Sequence, residues 1–232
     1  MNKKTPFDIR SFFKRFPRFY YFVAAAFGPV LFTGLGARAF LRAYPTEGRV
    51  LNIGSGPRTY AHPNITNIDV TPYPGVALVA PAEAVPLPDG CAERIISDNV
   101  LEHVTDPNAA VREMNRLLAP SGIAYVSTPF LYPFHASPGD YQRWTRAGLE
   151  KLFGDFDILD IGVRCGPFSA LSAFLAHFIG ATLSFGSRGL QSVLTNLSFI
   201  PLFPLKFLDL IFAFTPASDD VASVFYCVVR KR

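Results

Sequence analysis

Short apolar runs, broken by glycine, proline and polar residues, set the rhythm of the chain from Arg49 onward. "RVLNI" (49–53), "ITNIDV" (65–70), "VALVA" (76–80), "RIISD" (94–98) and "GIAYVST" (122–128) read as strands, rich in β-branched residues and bounded by Gly, Pro or Asp. "FDILDIGVR" (156–164) and "SVFYCVVRK" (223–231) continue the series. Between the fourth and fifth runs, "DPNAAVREMNRLLA" (106–119) changes to a helical period. Asp106 is placed to cap it, Pro107 suits its first turn, and Val111, Met114, Leu117 and Leu118 fall on one face. Strands that alternate with helices predict an α/β fold built on a mostly parallel sheet with crossover connections.

Two stretches depart from that rhythm. Residues 19–37 ("FYYFVAAAFGPVLFTGLGA") carry no charge, and residues 166–217 carry only Arg188, Lys206 and Asp209. The first is long enough to cross a bilayer, yet Gly28-Pro29 at its middle and basic flanks favour an interfacial or re-entrant segment. A helix packed on the domain, a membrane span and a secretory signal remain alternatives for it. The second reads either as a helical subdomain or as an apolar surface in contact with lipid.

Composition sharpens this picture. Hydrophobic residues make up 50% of the 232 and charged residues only 17%, against roughly 25% charged in ordinary soluble domains. Residues 1–43 hold eight basic side chains and one acidic one, while the remainder holds 14 basic and 17 acidic. A basic, aromatic-rich beginning points to an anionic membrane surface as partner. Nucleic acid is disfavoured, because no base-reading module accompanies the charge. Three scattered cysteines and no C-x-x-C pair fit a reducing compartment. The four histidines are equally dispersed and lack any H-E-x-x-H, so spacing alone gives no metal site.

Candidate chemistry begins at "VLNIGSGPR" (50–58), where a strand runs into Gly54 and Gly56. A glycine turn at the carboxyl edge of a parallel sheet is where such folds bind ligands. Asp69, near the end of the second strand, can accept hydrogen bonds from adjacent ribose hydroxyls, or it can simply cap a turn. A dinucleotide site keeps a third glycine, a crossover helix and roughly 20 residues between loop and acid. Here Pro57 and Pro63 interrupt a shorter link, which leaves little room for the helix that would hold a pyrophosphate. The pattern favours a donor with a ribose and no phosphate.

The ordered set "VLNIGSGP", "NIDV", "PAEAVPLPDG", "RIISDNVLEHVTDP", "REMNRLLAPSGIAYVSTP" and "HASPGDYQRWT" resembles class I S-adenosylmethionine-dependent methyltransferases of the type 11 group. The resemblance covers about residues 49–165 and the last strand. It implies a Rossmann-like sheet with an antiparallel last strand, to which composition adds an apolar helical N-terminal segment and an apolar helical insertion. The divisions expected are a basic and apolar segment over 1–48, a methyltransferase core over 49–165, the insertion over 166–217, and a final strand with a basic end over 218–232.

The resemblance also implies the roles. Asn52, Gly54, Ser55 and Gly56 would meet the methionine part of S-adenosylmethionine, and Asp69 its ribose. The loop with Ala82 and Glu83 would frame adenine, while Asp98, Asn99, Leu101, Glu102 and His103 would line the sulfonium end. Two positions depart from the family pattern: Asn52 stands where an Asp is usual, and Pro81-Ala82 where Asp-Ala is frequent. Glu102-His103 has turn capping and packing as its plainer reading. In the loop after the fifth strand, His135 can serve as a general base and Tyr141 is a further catalytic candidate, as is His103. Asp140 and Arg143 can be an ion pair that pins that loop.

The function expected is methyl transfer to an unidentified small-molecule or lipid-linked acceptor, in the cytoplasm at the cytoplasmic face of a membrane. A non-catalytic, membrane-associated adaptor with a degenerate methyltransferase fold is the alternative. A nicotinamide oxidoreductase is third and is disfavoured by the short crossover.

Overall fold

The computed structural model describes residues 27–57, 59–60 and 62–232. The basic tail and residues 19–26 of the uncharged stretch lie outside the described residues. Contacts divide the chain into two units, one comprising Gly34–Arg164 with Val224–Arg232 and the other holding residues 27–33 with Cys165–Ser223. The expected segment 1–48 is thus shared out: residues 34–48 group with the sheet.

The first unit is built on a seven-stranded sheet of order β3-β2-β1-β4-β5-β7-β6. Its strands are β1 (Val50–Ile53), β2 (Ile65–Asp69), β3 (Leu78–Val79), β4 (Ala92–Asp98), β5 (Leu118–Pro129), β6 (Phe156–Cys165) and β7 (Val224–Lys231). β1 pairs in parallel with β2 and β4, β2 with β3 and β4 with β5, whereas β7 runs antiparallel to β5. The Rossmann-like sheet with an antiparallel last strand is therefore as expected. Every residue of β1 is buried, the signature of a strand covered on both faces. From β1 the chain steps outward to β2 and β3, then returns to the other side of β1 as β4. That reversal leaves a crevice at the carboxyl ends of β1 and β4, where ligands of open α/β sheets bind.

Helix α1 (Ala37–Ala43) turns Ala37 and Phe40 inward, where they join Val50, Ile96, Tyr125 and Val228 in one apolar cluster. The Phe40 and Tyr125 rings lie 5.6 Å apart, and Tyr125 Oη donates to the Leu35 carbonyl at 2.9 Å. Helix α2 (Pro107–Leu117) starts as its sequence predicts, with Asp106 accepting from the Ala109 N–H and Pro107 in the first turn. Its end differs from expectation. Leu118 leaves the helix to pair with Ala92, and β5 begins there, four residues before the predicted strand. Pairing of the buried Leu118 within the sheet outweighs the two further helical residues expected, and a register irregularity between Ala92 and Arg94 absorbs the change. A short helix α3 (Arg146–Leu152), capped by Thr145, precedes β6.

In the second unit, α4 (Pro167–Leu183), α5 (Arg188–Leu202), a 3-10 segment (Phe203–Leu208), α6 (Asp209–Phe212) and α7 (Ser218–Val221) form the helical insertion. Two of the three charges within residues 166–217 point inward. Asp209 is fully buried and accepts from the N–H groups of Phe168 and Ser169, both at 2.9 Å, which satisfies the start of α4. Lys206 is also buried, its Nζ donating to the Gly28 carbonyl at 2.9 Å. α4 and α5 approach closely at Gly180, where a Cβ would stand 2.0 Å from Thr195 Oγ1. The surface left to solvent includes Phe174, Phe178, Phe185, Leu210, Ile211 and Phe214, each more than half exposed.

Candidate functional site

The first part of the candidate site lies where β1 and β2 end. Gly54 and Gly56 both have positive φ, +68° and +57°, a region open to glycine and costly for other residues. The two differ in what surrounds them. A Cβ on Gly54 would strike Val100 Cγ2 at 2.3 Å, whereas a Cβ on Gly56 would meet nothing within 4 Å. Gly54 is thus a packing glycine, and Gly56 presents bare backbone to open space. Ser55 N–H donates to the Ile68 carbonyl at 3.0 Å, which ties the loop to β2.

Asp69 closes the turn. Its Oδ2 accepts from the Gly56 N–H and its Oδ1 from the Thr71 N–H, each at 2.8 Å, and the residue is 8% exposed. Each carboxylate oxygen keeps a lone pair beyond these bonds, so the group can hold the loop and still accept from hydroxyls. The capping and ligand-binding readings of Asp69 are compatible in this geometry.

The described residues between Gly54 and Ile65 form turns and no helix. Asn67 takes over the task of holding this link. Its Nδ2 donates to the Tyr60 carbonyl at 2.9 Å, and its Oδ1 accepts from the Tyr60 N–H at 3.1 Å. The same Oδ1 accepts from Asn52 Nδ2 at 2.9 Å, in a buried contact. Asn52, expected at the ligand, therefore has its amide engaged beneath the loop. An Asp at this position would set a carboxylate against the Asn67 carbonyl oxygen, so asparagine suits this chain's own link.

On the β3 side, the Ala80 N–H donates to the Asp69 carbonyl at 3.1 Å. Ala82 is buried, Glu83 is half-buried and Pro81 is exposed. This loop is anchored by a pair on α2. Glu113 Oε1 accepts from the Val85 N–H at 2.7 Å, while Arg116 donates to the carbonyls of Val85 (2.9 Å) and Leu87 (2.8 Å). Arg116 also binds Glu113 through both Nε and Nη2, at 2.8 Å each. That bond and the Val85 N–H hold the Glu113 carboxyl below its usual pKa against the opposing effect of burial. Glu113 and Arg116 were not among the candidates; their i,i+3 spacing marks a helical pair and says nothing of the loop it grips.

At the end of β4, Asn99 has φ +56°, a conformation Asn tolerates better than most residues. Its N–H donates to the Ser127 carbonyl at 3.0 Å. Asp98 is gripped by Arg164 through both guanidinium nitrogens, the Nη2 bond being 2.9 Å. Ser127 Oγ donates to Asp98 at 2.6 Å and accepts from Arg164 Nη1 at 2.6 Å. Arg164 is 7% exposed and lies over the Tyr125 ring at 5.8 Å. This buried cluster holds the carboxyl ends of three strands together, and sequence spacing gave no sign of Ser127 or Arg164.

A second cluster gathers residues from two loops. The Leu101–His103 turn and the 133–143 loop are joined by the Tyr141 N–H, which donates to the Glu102 carbonyl at 2.8 Å. The His103 and His135 rings stand edge to face, 5.1 Å apart, and both face the fully buried Glu102. Tyr141 joins this group by backbone only; its side chain is exposed. Arg143 grips Asp140 with both nitrogens and donates to the Tyr132 and Pro133 carbonyls, so this pair does pin the loop. Asp140 accepts from the His135 N–H at 2.7 Å, and Arg143 holds its carboxyl down to about 2. Burial would lower the His135 pKa, but Glu102, the Pro133 carbonyl and Asp140 together raise it.

Residues 33–126 match the family model of a methyltransferase domain. An uncharacterized methyltransferase from Mycobacterium sp. (strain JLS) is 32% identical over 107 residues, 39% of this chain and 42% of that relative. The match thus spans less than half the length of that curated relative. A possible histamine N-methyltransferase from Thermotoga maritima superposes with a TM-score of 0.56 at 15% identity, covering 96% of this chain and 98% of the other. The Haemonchus contortus phosphoethanolamine N-methyltransferase 2, solved with phosphomonomethylethanolamine and S-adenosylhomocysteine, gives a TM-score of 0.53 at 15% identity, covering 97% of this chain and 60% of the other.

Proposed function

We propose that this chain, in which residues 33–126 match a methyltransferase domain, transfers the sulfonium methyl of S-adenosylmethionine to a small-molecule or lipid-linked acceptor at a membrane surface. The observation that carries the donor assignment is the Gly56–Asp69 pair. A bare, left-handed glycine backbone faces open space, and a carboxylate with spare lone pairs sits beside it. No helix follows the glycine loop among the described residues, which suits a donor without phosphates. Gly54 and Ser55 would shape the cradle, Asp69 would hold the ribose, and the Ala82-Glu83 loop would frame adenine, kept in place by Glu113 and Arg116. Asn99 would meet the sulfonium end.

The donor methyl is already activated, so most of the rate enhancement would come from in-line positioning. An acceptor that arrives protonated needs a base, a role that His135 or His103 would fill only through a ring nitrogen left free of other ligands. The lipid-linked class of acceptor is supported by the second unit. Its inward-facing Lys206 and Asp209 leave a surface rich in exposed Phe, Leu and Ile. The helical stretch Arg188–Phe212 contains an 18-residue window with a mean hydropathy of 1.4 and is long enough to cross a membrane by length and composition. We place the protein in the cytoplasm, with this surface against the cytoplasmic face of an anionic membrane.

The adaptor reading rested on two departures from the family pattern, at Asn52 and Pro81. The Asn52–Asn67 bond supplies a structural reason for the first, which leaves Pro81 alone on that side. A tritiated-methyl transfer assay on whole-cell lipid, glycan and protein extracts tests the proposal. Label in the lipid or lipid-linked glycan fraction is the expected result. Label confined to protein would overturn the acceptor class, and sedimentation that ignores anionic liposomes would overturn the membrane part.

A further inference from the structure

Two of the four histidines, far apart in sequence, meet one carboxylate in the fold. We propose that Glu102, His103 and His135 form a binding site for one divalent first-row transition-metal ion. One ligand atom from each lies within 4.8 Å of the other two. Glu102 Oε1 is 3.8 Å from His103 Nε2 and 3.7 Å from His135 Nε2. Ligands of a tetrahedral zinc ion with metal–nitrogen bonds of about 2.0–2.1 Å stand about 3.4 Å apart. Each of these two pairs therefore needs to close by only a few tenths of an ångström.

The tautomers are set for ligation. His103 Nδ1 donates to the Gly139 carbonyl at 2.5 Å, and His135 Nδ1 to the Pro133 carbonyl at 3.1 Å. A carbonyl oxygen only accepts, so in each neutral ring the proton sits on Nδ1 and the Nε2 lone pair points at Glu102. Fixing one ring nitrogen by a backbone carbonyl is the usual outer arrangement behind a metal-bound histidine. Asp140 Oδ2, 3.4 Å from His135 Nδ1, adds a carboxylate behind the same ring.

The carboxylate supplies an independent reason. Glu102 is 0% exposed, and neither of its side-chain oxygens accepts a hydrogen bond. The two imidazole nitrogens lie beyond hydrogen-bond length from it. A buried carboxylate without partners is costly, and a cation between it and the two rings would remove that cost. Two imidazoles and one carboxylate favour ions such as Zn2+, Co2+, Mn2+ or Fe2+ over Mg2+ and Ca2+, which prefer all-oxygen shells. His135 is one-third exposed along its side chain and His103 less so, so the site opens to solvent on the His135 side. Positions left there could take water or an acceptor heteroatom and lower its pKa. That last role rests on the proposed methyl transfer; the binding itself does not.

The test uses the tag-free full chain, stripped with a chelator and titrated with Co2+ while visible ligand-field absorption and heat are recorded. One Co2+ per chain is expected. Glu102→Gln and His135→Gln should each weaken binding by more than about a hundredfold, as loss of a ligand exceeds the 10–100-fold typical of outer-shell changes. His62→Gln and His177→Gln should bind as the native chain does. Absence of stoichiometric binding, or native affinity in both site variants, would overturn the proposal. If Glu102→Gln fails to fold, the more exposed His135→Gln decides. S-adenosylmethionine titrated into the stripped chain reports on the donor site separately.

Discussion

Alanine at Gly54 and alanine at Gly56 should fail in opposite ways. Both residues hold left-handed backbone, where an L side chain costs about 1–2 kcal/mol. At Gly56 that strain is the whole expected cost, because a Cβ meets nothing within 4 Å. At Gly54 the new methyl also lands 2.3 Å from Val100 Cγ2 and 2.9 Å from Cγ1, and Val100 is buried. Overpacking of this kind adds about 1–3 kcal/mol. A kilocalorie moves the melting temperature of a chain this size by about 2–4 °C. Gly56→Ala should therefore melt about 2–8 °C below the native protein, and Gly54→Ala several degrees lower again. Donor affinity should rank the other way among folded protein. The Gly56 methyl enters the space assigned to S-adenosylmethionine, and a misplaced methyl group in a fitted site costs about 1–3 kcal/mol, roughly 10–200-fold in Kd. Calorimetric titration together with thermal melts reads both effects. Gly56→Ala binding S-adenosylmethionine within about twofold of native would refute the cradle, and equal melting temperatures for the two variants would refute the packing argument.

Two further variants test what holds the site's walls. Asn52→Asp replaces the amide that donates to Asn67 with a carboxylate facing an oxygen, so it should destabilise the chain by about 1–3 kcal/mol in denaturant unfolding; unchanged stability would mean that the Asn52–Asn67–Tyr60 network does not hold the link. Glu113→Gln should cost about 1–2 kcal/mol at neutral pH through its weakened bonds to Arg116 and Val85. Because the folded Glu113 carboxyl titrates below its unfolded value, its contribution is complete above about pH 4.3 and fades as pH falls through the folded pKa. The gap between native and variant melts should accordingly narrow on acidification, and a gap that widens would contradict the assignment.

Much of the sheet was legible because its strands repeat a local pattern. All seven were visible as apolar runs, and Asp106-Pro107 announced the start of α2. The end of that helix was not, since Leu118 leaves it for a partner on β4, and periodicity along one segment carries no information about its neighbour. The same limit explains the site. Gly54, Gly56 and Asp69 were readable because a glycine turn and a strand-end acid have local signatures. Asn67, Ser127, Arg164 and the Glu113–Arg116 pair act through partners many residues away. Glu102 read as a residue lining the sulfonium end, or more plainly as a turn cap, and no local pattern set His135 beside it. The insertion was legible in composition, yet the inward turn of Lys206 and Asp209, which makes its outer surface more apolar than its sequence, is a property of packing.

The central claim is that this chain binds S-adenosylmethionine through the Gly56–Asp69 corner, and titration calorimetry tests it most directly. Asp69 closes the loop with two hydrogen bonds at 2.8 Å and is assigned the ribose, so its loss removes both anchor and ligand contact. The native protein should bind the donor at one site per chain. Asp69→Ala, with a folded fraction verified by its melt, should bind at least about tenfold more weakly, since hydrogen bonds to a charged group are worth about 1.5–3 kcal/mol. Native protein that takes up no S-adenosylmethionine, or an Asp69→Ala variant that binds it as tightly as the native chain, would contradict the account.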